Sequence, residues 1–315
     1  MRLMLSCSAS QPFPLTRRTP KMADNITQHV GRFATPAQAV QWACVTEATA
    51  PKVGNVDPGH SFADLCYDDF VTAAEIAANA FGQTQHSVAQ RALIAAQQVN
   101  QTIGSNVNLG ILLLLVPLIA ADESQTIERL DDWTMGVKSW LQSLRTTDSE
   151  ALFKTIQVAS AGGLGTVDEM DVNEPATSDS EPTTRDIVAA MRLARRRDRI
   201  ARQYADDFRD LITQIVPIVQ QSIVHAGDVL QGIADAHLAL LAMEPDSLIA
   251  RKCGIDTARE VQRLAAKLDV NDAEGRESFD QHLRSRGNQL NPGTTADLIA
   301  ASLYVLTRTP NTPQQ

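Results

Sequence analysis

A carboxylate and two hydroxyls stand together where the last predicted helix begins, in the stretch 291–297 (N-P-G-T-T-A-D). An uncovered helix N-terminus attracts anions, because its N–H groups point outward and the helix dipole is positive there. Thr294, Thr295 and Asp297 could therefore serve a phosphate or a metal-bound phosphate. The spacing also fits a local role, a capping box between Thr294 and Asp297 with Asn291 or Thr294 as the cap. The residues alone favour the capping role.

A second group of charged residues surrounds a predicted loop, residues 49–60. Two prolines and two glycines in this loop exclude regular structure. Lys52 is a point charge suited to phosphate, and Glu47 with Asp57 could hold Mg²⁺ through water. The alternative is a loop shaped by proline and glycine with solvated charges, and this is the expected role for any one of these residues taken singly.

Glycines form a third candidate element. Gly162 and Gly163 open the sequence G-G-L-G, and three carboxylates follow at positions 168, 169 and 171. Glycine lets the backbone approach a ligand closely, as it does in loops that cradle phosphates. The segment before it is predicted to be a helix, so the loop is not the dinucleotide-binding motif that follows a strand.

Two cations end a short predicted helix in the last third of the chain, where Arg251 and Lys252 follow Asp246. Cations stabilise a helix C-terminus, but either of these could equally face a triphosphate. His237 lies in an apolar helix and is predicted to be structural. The arginines between positions 192 and 202 spread over more than one helix face, so most are expected to be solvated or paired.

The elements that must position these residues are predicted to be helices. The chain is 43% hydrophobic but only 4% aromatic, and alanine and leucine favour helices over strands. Helical periodicity predicts a compact, all-α, multi-helix single domain over residues 35–308. Residues 1–34 are expected to be a poorly ordered extension and 309–315 a tail. One long helical tract is predicted from about 185 to 243, bent near Pro217.

Composition excludes several function classes. The net charge of −9 argues against nucleic-acid binding. The apolar run from Leu109 to Ala121 is shorter than the roughly 20 residues of a membrane-spanning helix, so it is expected to be a buried core helix. Four scattered cysteines form no CxxC pair, which favours a reducing cytoplasm. Met1 and Met22 both remain possible starts of translation.

Five stretches, in this order, resemble the triphosphoribosyl-dephospho-CoA synthase family. They are residues 47–57 (E-A-T-A-P-K-V-G-N-V-D), 162–172 (G-G-L-G-T-V-D-E-M-D-V), 198–208 (D-R-I-A-R-Q-Y-A-D-D-F), 237–254 (H-L-A-L-L-A-M-E-P-D-S-L-I-A-R-K-C-G) and 291–303 (N-P-G-T-T-A-D-L-I-A-A-S-L). The motifs P-K-x-G-N-V-D and N-P-G-T-T-A-D are the specific ones. The resemblance spans nearly the whole chain.

This resemblance implies an all-helical transferase that moves the triphosphoribosyl unit of ATP to a ribose hydroxyl of dephospho-CoA and releases adenine. Mg²⁺ is implied by ATP. The resemblance implies catalytic and metal-binding roles for Glu47, Asp57 and Asp297, since carboxylates stabilise an oxocarbenium-like transition state. The implied nucleotide-binding residues are Lys52, Asn108, Gly162, Gly163, Asp246, Arg251, Lys252, Thr294 and Thr295.

One family motif, N-T-H-K-G, is altered to N-V-N-L-G at residues 106–110. Asn108 and Leu109 replace a titratable group and a phosphate-binding cation. Two alternatives stay open. One is a related ATP-dependent enzyme with another small-molecule acceptor, for example in one-carbon or pterin cofactor synthesis. The other is a noncatalytic nucleotide-binding helical protein. Adenine release separates enzyme from binder, and a trial of acceptors separates the two enzymes.

Overall fold

The computed structural model of the chain describes residues 32–105, 107–161, 186–269 and 272–310. These residues form fourteen α-helices and one short π-helix, without a β-strand, so the all-α prediction is confirmed. The helices are α1 Pro36–Thr49, α2 Tyr67–Phe81, α3 Val88–Ile103, α4 Leu109–Ser124, α5 Leu130–Gln142, α6 Thr146–Ala161, α7 Ile187–Ala194, α8 Arg199–Ala205, the π-helix Leu211–Ile215, α9 Val216–Ala226, α10 Val229–Met243, α11 Ser247–Cys253, α12 Ile255–Lys267, α13 Ala273–Arg284 and α14 Gly293–Arg308.

Helix α14 is the central element of the fold. Its residues from Thr294 to Thr307 are all buried with a single exception, Asp297. A largely apolar helix of this kind must be enclosed by others, and α14 packs against α1, α4, α9, α10 and α11. Asp297 therefore lies on a central helix and has solvent access that its neighbours lack.

Local capping explains where several helices begin. The Thr35 hydroxyl accepts from the Gln38 N–H at 3.3 Å, and the Gln38 side chain accepts from the Thr35 N–H at 3.3 Å. This reciprocal box, with Pro36 in the first helical position, starts α1. Glu47 thereby lies in the last turn of α1, next to the loop that carries Lys52.

The single long helix predicted between residues 185 and 243 is wrong. Between residues 186 and 243 the structure contains four α-helices and the π-helix instead. Asp198 caps α8 by accepting from the N–H groups of Ile200 and Ala201 at 2.8 and 2.9 Å. Gly227, with φ of +65°, ends α9 in the left-handed region, which glycine tolerates. Side-chain caps and glycine thus divide a tract whose periodicity looks continuous.

The apolar run in α4 is a buried core helix, as predicted. Every residue from Ile111 to Ala121 is buried. No helix in the described ranges is long and apolar enough to cross a membrane. Helix α4 packs against α14, and Gly110 in its first turn lies at that contact.

Buried apolar residues form two clusters. The larger one includes α4 and α14, and the smaller one joins α10 to α13 with Val53 of the loop after α1. Val53 thus anchors the loop that bears the charged motif. The domain limits at residues 35 and 308 stay a prediction, and residues 1–31 and 311–315 lie outside the described part of the chain.

Candidate functional site

Asp297 lies beside the first turn of α4. A Cβ added to Gly110 would overlap this carboxylate, 2.6 Å from its Cγ, and would also lie 2.6 Å from Ile200 Cδ1. Glycine at the second position of α4 is therefore required for this close approach. The carboxylate lies near the N-terminus of a 16-residue helix, where the helix dipole favours negative charge.

The predicted capping role of Asp297 is wrong. Helix α14 begins at Gly293, so Thr294 and Asp297 are its second and fifth residues and do not form a capping box. The N-cap residue is Pro292, whose side chain has no hydrogen-bond acceptor. The cap comes from another helix: Asp246 Oδ2 accepts from the Thr295 N–H at 2.8 Å and from the Thr295 hydroxyl at 2.8 Å.

Asp246 joins two helices with one carboxylate. Its Oδ1 accepts from the N–H groups of Leu248 and Ile249 at 2.8 and 3.1 Å, which caps α11. Its Oδ2 makes the two contacts with Thr295 of α14. Burial raises the pKa of Asp246, and the hydrogen bonds from Thr295 act against that rise. With four donors around a 2% exposed side chain, Asp246 is committed to holding α11 against α14.

Thr294 also faces a neighbouring helix. Ser247 Oγ donates to Thr294 Oγ1 at 3.0 Å and accepts from the Arg199 N–H at 3.3 Å. Thr294 and Thr295 are both buried. The two hydroxyls predicted to bind phosphate are therefore engaged inside the protein, where they hold the N-terminal ends of α8, α11 and α14 together.

Glu47 and Lys52 form a buried ion pair. Lys52 Nζ lies 3.0 Å from Glu47 Oε1, and the side chains are 1% and 5% exposed. Burial raises the pKa of Glu47, and the positive charge of Lys52 opposes that rise. Burial, with Glu47 and then Asp297, also raises the pKa of Cys44, which lies one turn earlier on α1. Glu47 and Asp297 therefore share one electrostatic environment at the contact of α1 and α14.

Asp297 is a carboxylate without a hydrogen-bond donor among the described residues. Burial raises its pKa well above the ordinary value, and the negative charges of Glu47 and Asp246 raise it further. Arg251 is the cation that opposes this rise. A partly exposed carboxylate that is surrounded mainly by negative charges is a favourable place for a cation to bind. In this respect Asp297 differs from Asp246, whose acceptors are occupied.

The loop after α1 is fixed by buried polar contacts. The Asn55 amide and His237 Nε2 are hydrogen-bonded at 3.0 Å, and His237 is fully buried. Burial, and then the charge of Lys52, lowers the pKa of His237 to about 3, so the ring is neutral at physiological pH. Gly54, with φ of +71°, packs against Leu283 where any Cβ would clash at 2.8 Å or less. His237 is structural, as the apolar helix around it suggested.

Asp57 is engaged within its own turn. Its carboxylate accepts from the Gly59 N–H at 2.7 Å and lies 2.9 Å from His60 Nδ1. The backbones of Asp57 and His60 also exchange two hydrogen bonds of 3.1 Å. No contact in the described structure joins Asp57 to Glu47 or Asp297. The structure thus brings together two of the three predicted carboxylates.

The two predicted cations of α11 differ in their surroundings. Arg251 is 42% exposed and lies 3.9 Å from Asp198, the cap of α8. Lys252 donates to the Asn288 carbonyl at 2.9 Å, and burial lowers its pKa. Both residues are exposed, and Arg251 is the one whose charge opposes the rise in the pKa of Asp297.

The remaining predicted positions are Asn108, Gly162 and Gly163. Asn108 is 5% exposed and its amide lies 3.5 Å from the Ala73 carbonyl. With Asn100 and Leu109 it lines a cavity of about 10 Å³, room for roughly one water. Gly162 and Gly163 lie outside the described residues.

Sequence reasoning missed three features of the site. Gly110 lies in the altered motif at residues 106–110 and Asp198 in the stretch 198–208, but their contacts with Asp297 and Arg251 join distant parts of the chain. A half-buried network also links Arg202 to Glu244 and to Asp210, with 2.9 Å between Arg202 Nη2 and Asp210 Oδ2. A groove of about 430 Å³ opens elsewhere, at α5, α6 and α7, and none of the predicted residues lines it.

Comparison with known families decides the identity. The family described as ATP:dephospho-CoA triphosphoribosyl transferase (CitG) matches residues 33–312. The chain belongs to this family. It is therefore a transferase, and the substrates of its family are ATP and dephospho-CoA. No curated protein matches the chain.

The fold is shared with a solved structure. The crystal structure of the "putative triphosphoribosyl-dephospho-coA synthase from Archaeoglobus fulgidus" aligns with a TM-score of 0.57 at 23% sequence identity. The alignment covers 75% of this chain and 97% of that chain. At this identity the likeness establishes the fold, and the family membership rests on the match over residues 33–312.

A triphosphate substrate raises the question of Mg²⁺. In the described ranges no three His, Cys, Asp or Glu side chains are grouped to hold a metal ion, so the predicted trio of Glu47, Asp57 and Asp297 is not assembled there. Mg²⁺ is usually bound by one or two carboxylates together with substrate phosphates and water. Asp297, with no donor of its own among the described residues and Glu47 nearby, fits that smaller requirement.

Proposed function

We propose that this chain transfers the triphosphoribosyl group of ATP to dephospho-CoA at a centre formed by Asp297 and Glu47, with Arg251 facing the phosphates. The observation that carries the proposal is the state of Asp297. From Thr294 to Thr307 it is the only residue that is not buried, and its carboxylate has no donor among the described residues. A partly exposed carboxylate without a donor, placed on a central helix, is available to a ligand.

The reaction exchanges one bond for another at the ribose of ATP. The bond from C1 of that ribose to the adenine nitrogen breaks, and a bond from C1 to the acceptor's hydroxyl oxygen forms. Adenine takes up a proton, and the hydroxyl gives one to a base. Positive charge develops on the ribose in the transition state. Preorganised carboxylates stabilise such a charge without reorganising at the moment of reaction.

The two carboxylates suit different parts of this task. Glu47 is held by Lys52 at 3.0 Å, which favours its ionised form, so we assign it to receive the hydroxyl proton. Asp297 would hold Mg²⁺ together with phosphate oxygens, and the metal, when bound, would neutralise charge on the triphosphate. Arg251 is exposed and its charge acts on Asp297, and a guanidinium recognises phosphate through paired hydrogen bonds.

The acceptor is tested with the purified protein, Mg-ATP and separate acceptors. Free adenine and the mass of the product are measured with dephospho-CoA, with CoA and with pterin-type acceptors. We expect adenine release that depends on dephospho-CoA and a product one triphosphoribosyl unit heavier. Release with a pterin-type acceptor alone would replace dephospho-CoA as the substrate and link the change at Asn108 and Leu109 to acceptor choice. ATP binding without adenine release from any acceptor would contradict a transferase.

A further inference from the structure

Lys52 is among the largest fully buried side chains of the protein, with 1% exposure. Lysine is almost never buried to this degree without a partner, because its charge is costly to remove from water. Its sequence position, in a proline- and glycine-rich loop, would allow an exposed side chain. The burial therefore calls for a function of the ammonium inside the protein.

The ammonium group of Lys52 has no N–H left for a substrate. It donates to the Glu47 carbonyl and to the Ala50 carbonyl, the latter at 3.2 Å. It also pairs with Glu47 Oε1 at 3.0 Å. A lysine ammonium has three donors, so these three acceptors account for all of them. Two of the three acceptors belong to Glu47, one from its backbone and one from its side chain.

The surrounding loop holds Lys52 in this place. Val53, the next residue, is buried in the smaller apolar cluster, and Gly54 makes the close approach to Leu283. Asn55 is tied to His237 on α10 at 3.0 Å. The loop therefore turns Lys52 inward toward the last turn of α1, where protein acceptors surround its ammonium group.

We propose that Lys52 is a positioning residue, which fixes the Glu47 side chain at the reaction centre through their contact and does not touch the triphosphate. This inference rests on the proposed role of Glu47. It replaces the phosphate contact that the sequence predicted for Lys52. If Lys52 acts only through Glu47, the effects of changing the two residues must not add.

The test is a double-mutant cycle of Lys52→Met and Glu47→Gln, with Lys138→Met as a control that removes one exposed positive charge on α5. Adenine release from Mg-ATP with dephospho-CoA gives kcat and the KM for ATP, and calorimetric titration gives the affinity for Mg-ATP. We expect Lys52→Met to lower kcat at least about tenfold, with the KM and the affinity for ATP changed less than about threefold. In the Glu47→Gln background, Lys52→Met should change kcat less than about twofold.

Two outcomes overturn the inference. A rise of about tenfold or more in the KM and Kd for ATP, retained in the Glu47→Gln background, would make Lys52 a phosphate ligand. Additive losses in kcat would show that Lys52 acts independently of Glu47. If Glu47→Gln alone keeps wild-type kcat, the proposed role of Glu47 fails first, which is a separate result.

Folding of Lys52→Met is checked by circular dichroism, because removing one member of a buried pair leaves an uncompensated charge. If this variant does not fold, the double variant, which buries two neutral side chains, is compared with Glu47→Gln. Equal kcat and equal ATP affinity for these two proteins support the inference, and weaker ATP binding by the double variant overturns it.

Discussion

Removing the Asp246 carboxylate should uncouple the start of α14 from α11. Asp246→Ala takes away an acceptor that serves the N–H groups of Leu248 and Ile249 and both donors of Thr295. The substitution leaves every residue of α11 and α14 unchanged. The loss of stability therefore combines two contributions, the local cap of α11 and the cap that Asp246 supplies to α14.

The expected magnitude has two parts. Replacing an Asp N-cap by Ala costs about 1 kcal/mol of stability, within a range of roughly 0.5–2. Leaving the buried Thr295 N–H without an acceptor costs about 1–3 kcal/mol more. Because Asp246 is 2% exposed, water cannot readily replace the lost acceptor. We therefore expect a total loss of about 2–5 kcal/mol.

Asp228→Ala is the matched control. Asp228 is exposed and caps only its own helix, α10, by accepting from the Gln231 N–H at 2.9 Å. Urea unfolding followed by circular dichroism should give a loss of about 1 kcal/mol for this variant. Equal losses for Asp246→Ala and Asp228→Ala would refute the cap between helices.

Two further predictions concern glycine packing and pH. Gly110→Ala should improve the helix propensity of α4, yet we expect kcat for adenine release to fall about 10- to 100-fold, because a Cβ would displace the Asp297 carboxylate; unchanged kcat would contradict this. His237 has a pKa of about 3 in the folded protein, whereas its ordinary value is 6.5. Between these two pH values the unfolded chain binds a proton at His237 that the folded protein does not bind. The free energy of unfolding therefore falls as the pH decreases from 6.5 toward 3. Between pH 7 and pH 5 this histidine should lower the free energy of unfolding by about 2 kcal/mol. In denaturant titrations at several pH values, the stability of His237→Asn should depend less steeply on pH than that of the wild type. An equal pH dependence for the two proteins would contradict the assignment.

Local signals carried the parts of the fold that the sequence could predict. The box that starts α1 joins Thr35 and Gln38, three residues apart, so the information for this helix start is local. The buried run of α4 follows from composition alone. The long tract after residue 185 was divided wrongly, because aspartate caps such as Asp198 compete with a helical periodicity that continues through them.

The site was harder to predict, because its contacts join distant residues. The cap of α14 comes from Asp246, 49 residues before Thr295, so no local spacing could reveal it. A lysine in a loop is normally solvated, and only the fold shows that Lys52 is turned inward. Motif resemblance predicted roles for Glu47 and Asp297, whereas their shared environment depends on the packing of α1 against α14.

The central claim is that Asp297 serves the reaction and has no capping role. Asp297→Asn keeps the shape of the side chain and removes its charge. Adenine release from Mg-ATP with dephospho-CoA should fall at least about a hundredfold, the scale of losing one preorganised electrostatic contact. The variant should unfold at a denaturant concentration no lower than the wild type, since burial raises the pKa of this carboxyl and its charge is costly in the folded state. Asp228→Asn is the control and should keep wild-type activity. Wild-type turnover by a folded Asp297→Asn protein, equal to that of the control, would contradict the account.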